Sequence, residues 1–321
     1  MRRRPIVIAI LAALMVLAAA YTAASAYVWN TLTSVSGDCP PRMAANDPTA
    51  FSVPDDTLDT TPYVMPAPAE VSFPSRDPGI AVSGWWIPAA DPGAPAVVLV
   101  HGHAACKRDH TVLLPAGMLH RNGFSVLLID LRDHGDSTLE DGRFAGGTEE
   151  YLEILGAWDW LRRDQGLAVD RIGLYGTSLG AATALIAAGE EPRVAAIWED
   201  SSYADIGVAI RAELGRTGYP EILTIGGIAM ARLLSGDDLA SLSPLGAVGK
   251  LDGRPLYVTH GDADTRLSVG YARDLVAAVE ADGGSVESWI VPGAEHTRAV
   301  IIVPDEYEER LVGFYERTIG R

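Results

Sequence analysis

A glycine-flanked turn between an apolar segment and a run of small residues most constrains what this chain can fold into. Residues 172–175 are largely apolar, Gly176-Thr-Ser-Leu-Gly180 follows, and no charged residue occurs between Gly173 and Ala188. The two glycines leave room for a strained backbone and for close packing of a helix on a strand. The pattern predicts a buried strand, a sharp turn and a helix, with Ser178 forced out of the sheet as a candidate nucleophile.

Apolar runs before and after this turn extend the prediction to a whole sheet. Residues 70–73 and 80–87 predict an antiparallel start, and buried strands are predicted at residues 96–100, 124–130, 172–175, 194–200, 255–261 and 286–292. Helical periodicity between them, as in residues 149–163 and 268–281, predicts strands alternating with helices. The fold class is therefore α/β, with a mostly parallel eight-stranded sheet covered by helices on both faces.

The first 29 residues predict a signal peptide or an N-terminal membrane anchor. Arg2, Arg3 and Arg4 precede an uncharged stretch from Ile6 to Ala20, and apolar character continues to Trp29. Ala24-Ser-Ala26 fits a cleavage site, so secretion after cleavage near Ala26 is the alternative. We favour the anchor, which places the following domain outside the cytoplasm at the cell membrane.

Three further segments complete the predicted organisation. Residues 30–68 are rich in Pro, Asp, Thr and Ser and predict a linker or stalk, and residues 69–321 predict the α/β domain. Within that domain, residues 202–250 break the alternation and predict a small helical lid over the strand ends. The two cysteines, Cys39 and Cys106, do not make a disulfide framework, and we expect two unpaired thiols.

Charge limits the partners of the folded part. The formal net charge is −17, and without the three arginines of residues 1–26 it is −20. Such a surface repels nucleic acid and anionic headgroups, so nucleic acid is not an expected partner. Membrane contact is expected only through the N-terminal segment.

Side chains at the ends of three predicted strands could activate Ser178. A serine hydroxyl needs a base within hydrogen-bond reach, a group that orients the base, and donors for the oxyanion formed on attack. His296 follows the last strand and Asp264 follows the one before, at the sheet edge where such folds build their sites. We predict Ser178, Asp264 and His296 as the catalytic residues, in the order expected for a turn of this kind.

Other assignments stay open. Asp200, beside Glu199 at the end of a strand, could replace Asp264, whereas Asp262 lies too close to its strand end to be preferred. His101, His134 and His260 are more typical of hydrogen-bonded structural imidazoles. His103, Cys106 and His110 match no closed zinc pattern, no phosphate-cradling or dinucleotide glycine pattern occurs, and neither a metal nor a cofactor is expected.

Five motifs in order resemble those of the α/β-hydrolases over residues 70–321. They are His101-Gly102, Asp130-Leu-Arg-Asp-His-Gly-Asp-Ser137, Gly176-Thr-Ser-Leu-Gly180, His260-Gly-Asp-Ala-Asp264 and Gly293-Ala-Glu-His296. The N-terminal anchor and Gly84-Trp-Trp-Ile-Pro88 resemble the membrane-anchored branch, whose members are esterases or relatives of prolyl-type serine peptidases. The resemblance implies an oxyanion hole from the backbone N–H groups of His103 and Leu179, and a histidine at position 103 departs from the usual pattern.

The function that follows is hydrolysis of an ester or related acyl bond in a small-molecule substrate. A serine peptidase of the same fold is the alternative within enzymes. A non-catalytic extracytoplasmic binding module is the alternative outside them, although such a module has no need for three groups on three separate loops.

Overall fold

Eight strands form one mixed sheet in the computed structural model, which describes residues 3–54 and 56–320. The strands are β1 Ala69–Pro74, β2 Ala81–Ile87, β3 Ala96–Val100, β4 Ser125–Ile129, β5 Ile172–Thr177, β6 Ala196–Asp200, β7 Leu256–Gly261 and β8 Glu287–Val291. Their order across the sheet is β1-β2-β4-β3-β5-β6-β7-β8, with β2 antiparallel to both neighbours and the remaining pairs parallel. The predicted α/β fold with a mostly parallel eight-stranded sheet is confirmed.

Ten α-helices connect and cover these strands in the described part of the chain. They are α1 Arg3–Thr33, α2 His110–Arg121, α3 Tyr151–Arg163, α4 Leu179–Glu190, α5 Ile206–Thr217, α6 Leu223–Leu234, α7 Pro244–Val248, α8 Gly270–Ala281, α9 Ala299–Ile302 and α10 Pro304–Thr318. Apolar side chains of α3, α4 and α8 pack on one face of the sheet, and those of α2, α9 and α10 pack on the other. The central strands β3 and β4 are buried along their whole length, as expected for strands covered on both faces.

Residues 34–54 and 56–68, part of the segment 30–68 predicted as a stalk, lie against the domain instead of extending from it. Met43, Phe51, Tyr63 and Met65 are buried, and the last three join the core under α2. Asn46 accepts a hydrogen bond from the Arg108 guanidinium at 3.0 Å through its carbonyl oxygen. Scattered apolar residues in a Pro-rich segment have no helical or strand period, so the sequence does not reveal that they pack.

Cys39 and Cys106 form a disulfide, so the expectation of two unpaired thiols is wrong. Their Cα atoms are 5.5 Å apart although the residues are 67 positions apart in the chain. The bond joins the N-terminal segment to the loop after β3, with Met43 and Ala105 packed around it. Only the packing of the segment around Cys39 against the domain brings the two side chains together.

Breaking this disulfide is expected to lower the free energy of unfolding by about 4 kcal/mol, because the bond removes the closure entropy of a 67-residue loop from the unfolded chain. Cys39→Ser tests this by urea denaturation of the oxidised protein. Cys106→Ser should give the same loss, and the double variant should lose no more than either single one. Equal midpoints for the wild type and Cys39→Ser would contradict the expectation.

The N-terminal helix α1 has two parts with different surroundings. It is long and apolar enough to cross a membrane, and its apolar span is unburied in the protein. Towards its C-terminal end, Ser25, Val28 and Thr33 are buried against the domain. Arg143 lies over the Trp29 ring at 3.7 Å from its centroid and donates to the Thr33 hydroxyl at 2.9 Å. One helix therefore both projects from the domain and packs into it.

Candidate active site

The turn after β5 holds Ser178 in a strained conformation. Its φ of 55° and ψ of −118° lie in a region of backbone conformation that residues other than glycine rarely adopt. A Cβ at Gly176 would lie 2.3 Å from the Gly180 carbonyl oxygen, and a Cβ at Gly180 would lie 2.3 Å from that of Val100. Both glycines are therefore required by close backbone approach, as the sequence pattern indicated. The Ser178 N–H donates to the Asp200 carbonyl at 2.8 Å, which ties the turn to β6.

Three side chains from three loops form a continuous hydrogen-bonded chain at this edge of the sheet. His296, in the loop after β8, has its Nε2 3.0 Å from the Ser178 hydroxyl. Its Nδ1 is 2.7 Å from Oδ2 of Asp264, in the loop after β7. The structure thus brings Ser178, His296 and Asp264 together in the arrangement that activates a serine hydroxyl.

The Asp264 carboxylate is held by three hydrogen bonds and by a contact with a second imidazole. Its Oδ1 accepts the backbone N–H groups of Arg266 and Leu267, both at 2.8 Å, and its Oδ2 contacts His260 Nε2 at 3.2 Å as well as His296. Burial alone would raise the pKa of Asp264, but the hydrogen bonds from His260 and His296 outweigh burial and hold the pKa well below its usual range. Asp264 is therefore charged at neutral pH.

His260 is a second imidazole on the same carboxylate, and the sequence interpretation missed this contact. It was expected to be a structural histidine, yet its Nε2 lies between Asp264 and the Leu267 carbonyl oxygen, the latter at 2.8 Å. The available signal was the spacing of four residues between His260 and Asp264, which a strand end followed by a turn brings together. Burial also raises the pKa of Glu199, a neighbour of His260, to about 7. The charge of His260 and the hydrogen bonds from Ser202 act in the opposite direction and lower this pKa.

The two rival carboxylates have other partners. Asp200 is buried and accepts hydrogen bonds from the hydroxyl groups of Tyr307 and Ser201, each at 2.7 Å. Asp262 accepts the backbone N–H of Gly293 at 2.6 Å. These contacts tie Asp200 to α10 and Asp262 to the loop before His296, whereas Asp264 contacts the His296 ring itself.

Two backbone N–H groups in the segments that adjoin Ser178 have no acceptor among the described residues. A Cβ at Gly102 would lie 3.2 Å from the Ser178 Cβ, so the loop after β3 runs directly against the candidate nucleophile. Within residues 3–54 and 56–320, neither the His103 nor the Leu179 N–H donates a hydrogen bond to another group. Leu179 begins α4, where the first N–H groups of a helix have no intrahelical partner.

The side chain of His103 lies within the pocket beside Ser178. Its ring packs on Phe144 with 4.4 Å between centroids. Burial and the neighbouring His134 and Arg266 lower the pKa of His103 to about 3, so the ring is neutral at physiological pH. By contrast, the rings of His101 and His134 form hydrogen bonds with the backbone. His101 Nε2 accepts the Leu131 N–H at 3.2 Å, and His134 Nδ1 donates to the Arg132 carbonyl at 2.8 Å.

No group of three His, Cys, Asp or Glu side chains is placed to hold a metal ion among the residues that the structure describes. Cys106, which stands with His103 and His110 in the sequence, is bonded to Cys39 in the disulfide and has no free thiol to bind a metal.

A pocket of about 280 Å³ opens beside Ser178 and is lined mainly by apolar side chains. Its walls come from α1, α4, α5 and the loops that carry His103, Phe144, Tyr203 and Leu267. From α5, the residues Ile206, Ala209, Ile210 and Leu214 face the cavity. The lining favours an apolar ligand group, because the removal of apolar surface from water stabilises the bound state.

Known proteins share both sequence and fold with this chain. The model of the prolyl oligopeptidase family matches residues 114–321. An uncharacterized protein of Mycobacterium tuberculosis is 30% identical over 236 residues, which are 73% of this chain and 74% of that protein.

Two solved structures show the same fold at lower identity. An esterase of Pyrococcus furiosus superposes with a TM-score of 0.65 at 22% identity, covering 88% of this chain and 98% of its own. An acylaminoacyl peptidase of Pyrococcus horikoshii superposes with a TM-score of 0.59 at 20% identity, covering 80% of this chain and 43% of its own. The resemblance to α/β-hydrolases drawn from the five sequence motifs is confirmed.

Proposed function

Because the chain belongs to the prolyl oligopeptidase family of α/β-hydrolases, we propose that it is a serine hydrolase that cleaves an ester or related acyl bond through Ser178, His296 and Asp264. The observation that carries this proposal is the continuous contact from the Ser178 hydroxyl through the His296 ring to the Asp264 carboxylate, at 3.0 Å and 2.7 Å. Each step of acyl transfer then has a group in place.

In the first half of the proposed reaction, the Ser178 oxygen attacks the acyl carbon while His296 Nε2 takes the hydroxyl proton. Asp264 accepts the Nδ1–H of His296, which fixes the tautomer with a free Nε2 and stabilises the imidazolium that forms. His296 then gives its proton to the leaving group. In the second half, His296 takes a proton from water, the hydroxide attacks the acyl-enzyme, and Ser178 regains the proton.

The negative charge that develops on the acyl oxygen is stabilised by the backbone N–H groups of His103 and Leu179. Both are free of other acceptors within the described residues, and the His101-Gly102 segment that presents the first lies against Ser178. The negative charge is present only after attack has begun, so donors that are already in position stabilise the transition state more than the ground state. Because His103 is required only for its backbone, its neutral ring is free to shape the pocket.

Peptide-bond hydrolysis is the second candidate. The prolyl oligopeptidase family match and the shared fold with an acylaminoacyl peptidase favour it. The pocket beside Ser178 favours an acyl chain over a peptide, because its lining is mainly apolar and the backbone amides of a peptide each need a hydrogen-bond partner. We therefore place ester and thioester substrates ahead of peptides.

We assign the domain to the outer side of the cell membrane, with α1 as the anchor. The three arginines that precede the apolar stretch favour a cytoplasmic N-terminus. The disulfide between Cys39 and Cys106 supports an oxidising compartment for the domain.

The proposal is tested by labelling the detergent-solubilised full-length protein with a small fluorophosphonate and locating the adduct by mass spectrometry. We expect one adduct, on the peptide that contains Ser178. Hydrolysis of a panel of p-nitrophenyl acyl esters and aminoacyl p-nitroanilides should then show a kcat/KM at least tenfold higher for the esters. Preference for the anilides would assign the chain to the peptidases, and absence of an adduct would remove the serine hydrolase proposal.

A further inference from the structure

The anchor helix forms part of the pocket beside the candidate nucleophile. Tyr27, Val28, Thr31 and Leu32 of α1 line the same cavity as Ser178 and Leu179. Side chains of α5 line this cavity as well. The helix that holds the protein in a membrane therefore also shapes the space next to the reacting atoms.

Close packing shows that this part of α1 is built into the domain. Gly226 and Gly227 of α6 face it, and a Cβ at Gly226 would lie 2.0 Å from the Ser25 hydroxyl oxygen. The Tyr21 hydroxyl donates to the Ile222 carbonyl at 3.0 Å. Val28 is 2% exposed and belongs to the main core. Loss of the helix by cleavage near Ala26 would uncover the glycine face of α6 and the core beneath it.

The pocket also lies near the level at which α1 leaves the bilayer. A hydrocarbon core of about 30 Å takes about 20 helical residues, which from Ile6 reaches the region of Tyr21 to Ser25. Val28 is seven residues beyond Tyr21, a rise of about 10 Å along the helix. Tyr21 and Tyr27 are aromatic residues of the kind that lie at the membrane interface.

Exposed apolar side chains continue from the anchor onto the lid at the same level. Ile222, directly before α6, is 66% exposed and Ile225, in its first turn, is 67% exposed; this end of α6 contacts Tyr21 and Ser25. The rest of the domain carries a large net negative charge, which disfavours contact with anionic headgroups. The apolar continuity with α1 therefore identifies the occupant of this small surface as the outer edge of the bilayer.

From these observations we propose that the acyl chain of the substrate lies between α1 and α5, and that the substrate is a long-chain acyl amphiphile taken from the membrane in which α1 is anchored. This inference rests on the proposed serine hydrolase function and specifies its substrate class. The chain of such an amphiphile would pass from the bilayer along Tyr27 and Thr31 to the acyl carbon at Ser178. The anchor then determines chain-length preference as well as location.

The first test changes one side chain of the α1 wall in the full-length protein, reconstituted in phosphatidylcholine vesicles. Thr31 lines the pocket and is exposed, so Thr31→Trp fills space without displacing the core. We expect the ratio of kcat/KM for p-nitrophenyl palmitate to that for p-nitrophenyl acetate to fall at least tenfold. Thr22→Trp is the matched control, because Thr22 is exposed and nine residues away, on the opposite side of the helix. Its ratio should stay within about twofold of that of the wild type.

The source of the substrate is tested with the same vesicles. p-Nitrophenyl palmitate should be hydrolysed faster when it shares the bilayer with the wild-type protein than when it is supplied bound to albumin. Equal rates at equal total concentration would overturn a membrane source.

A measurement on the wild type keeps the inference testable if Thr31→Trp does not fold. A fluorophosphonate with a long alkyl chain that ends in a diazirine is attached to Ser178 and irradiated, and the second attachment is mapped by mass spectrometry. We expect attachment within residues 27–32. Attachment to other segments alone, or an unchanged selectivity ratio in a Thr31→Trp protein that still reacts with the small fluorophosphonate, would overturn the inference. Loss of both labelling and acetate turnover in the wild type would instead overturn the proposed function.

Discussion

Ser178→Ala is expected to lower kcat for p-nitrophenyl butyrate by about 10⁵-fold to 10⁶-fold, the range for removal of a nucleophile that acts with its base as a unit. The alanine removes the oxygen that lies 3.0 Å from His296 Nε2, while the backbone N–H groups of His103 and Leu179 remain. The small remaining rate would come from binding and from stabilisation of the oxyanion in direct attack by water. Initial rates measured with the variant at high concentration would give this residual value.

Ser241→Ala is the matched control, since Ser241 is an exposed serine on a loop far from the pocket beside Ser178. It should retain the wild-type rate. Thermal unfolding of the Ser178→Ala protein should match the wild type within a few degrees, because alanine can occupy the same strained turn. Turnover by Ser178→Ala within tenfold of the wild type would remove Ser178 from the proposed mechanism.

Asp264→Asn is expected to lower kcat by about 10⁴-fold with a small change in KM. An asparagine side chain fits the same space but can donate to His296 Nδ1, which favours the tautomer that has no free Nε2 to accept the Ser178 proton. It also loses the negative charge that stabilises the imidazolium. The measurement is kcat and KM for p-nitrophenyl butyrate at pH 8.

Asp200→Asn tests the rival carboxylate with the same substitution. An asparagine oxygen at position 200 can still accept the Tyr307 hydroxyl, so the variant should fold and keep kcat within about tenfold of the wild type. Circular dichroism and thermal unfolding check the fold of both variants. A large loss in Asp200→Asn with a small loss in Asp264→Asn would transfer the orienting role to Asp200.

The sheet and the Ser178 turn could be predicted from the sequence because each depends on local patterns. Short apolar runs mark buried strands, and the bounds of β3 and β7 lie within one residue of the predicted ones. The glycines on either side of Ser178 are required because the backbone approaches too closely there for a Cβ atom, and side-chain packing elsewhere does not change this requirement. His296 and Asp264 could be predicted as partners because the ends of parallel strands meet at one edge of a sheet.

What only the tertiary structure decided are the contacts between segments far apart in the chain. The disulfide joins residues separated by 67 positions, and the burial of Phe51 depends on a surface made by α2. His260 reaches Asp264 only because the turn after β7 folds back on the strand end. The packing of α1 on Gly226 and Gly227, which places α1 beside Ser178, depends on the position of α6, which no local pattern specifies. The sequence by itself determined the strands, the Ser178 turn and the apolar N-terminal helix, because backbone geometry and hydrophobic period act within a few residues. The pocket belongs to the tertiary structure, because its walls come from segments about 200 residues apart whose side chains acquire a common surface only after folding.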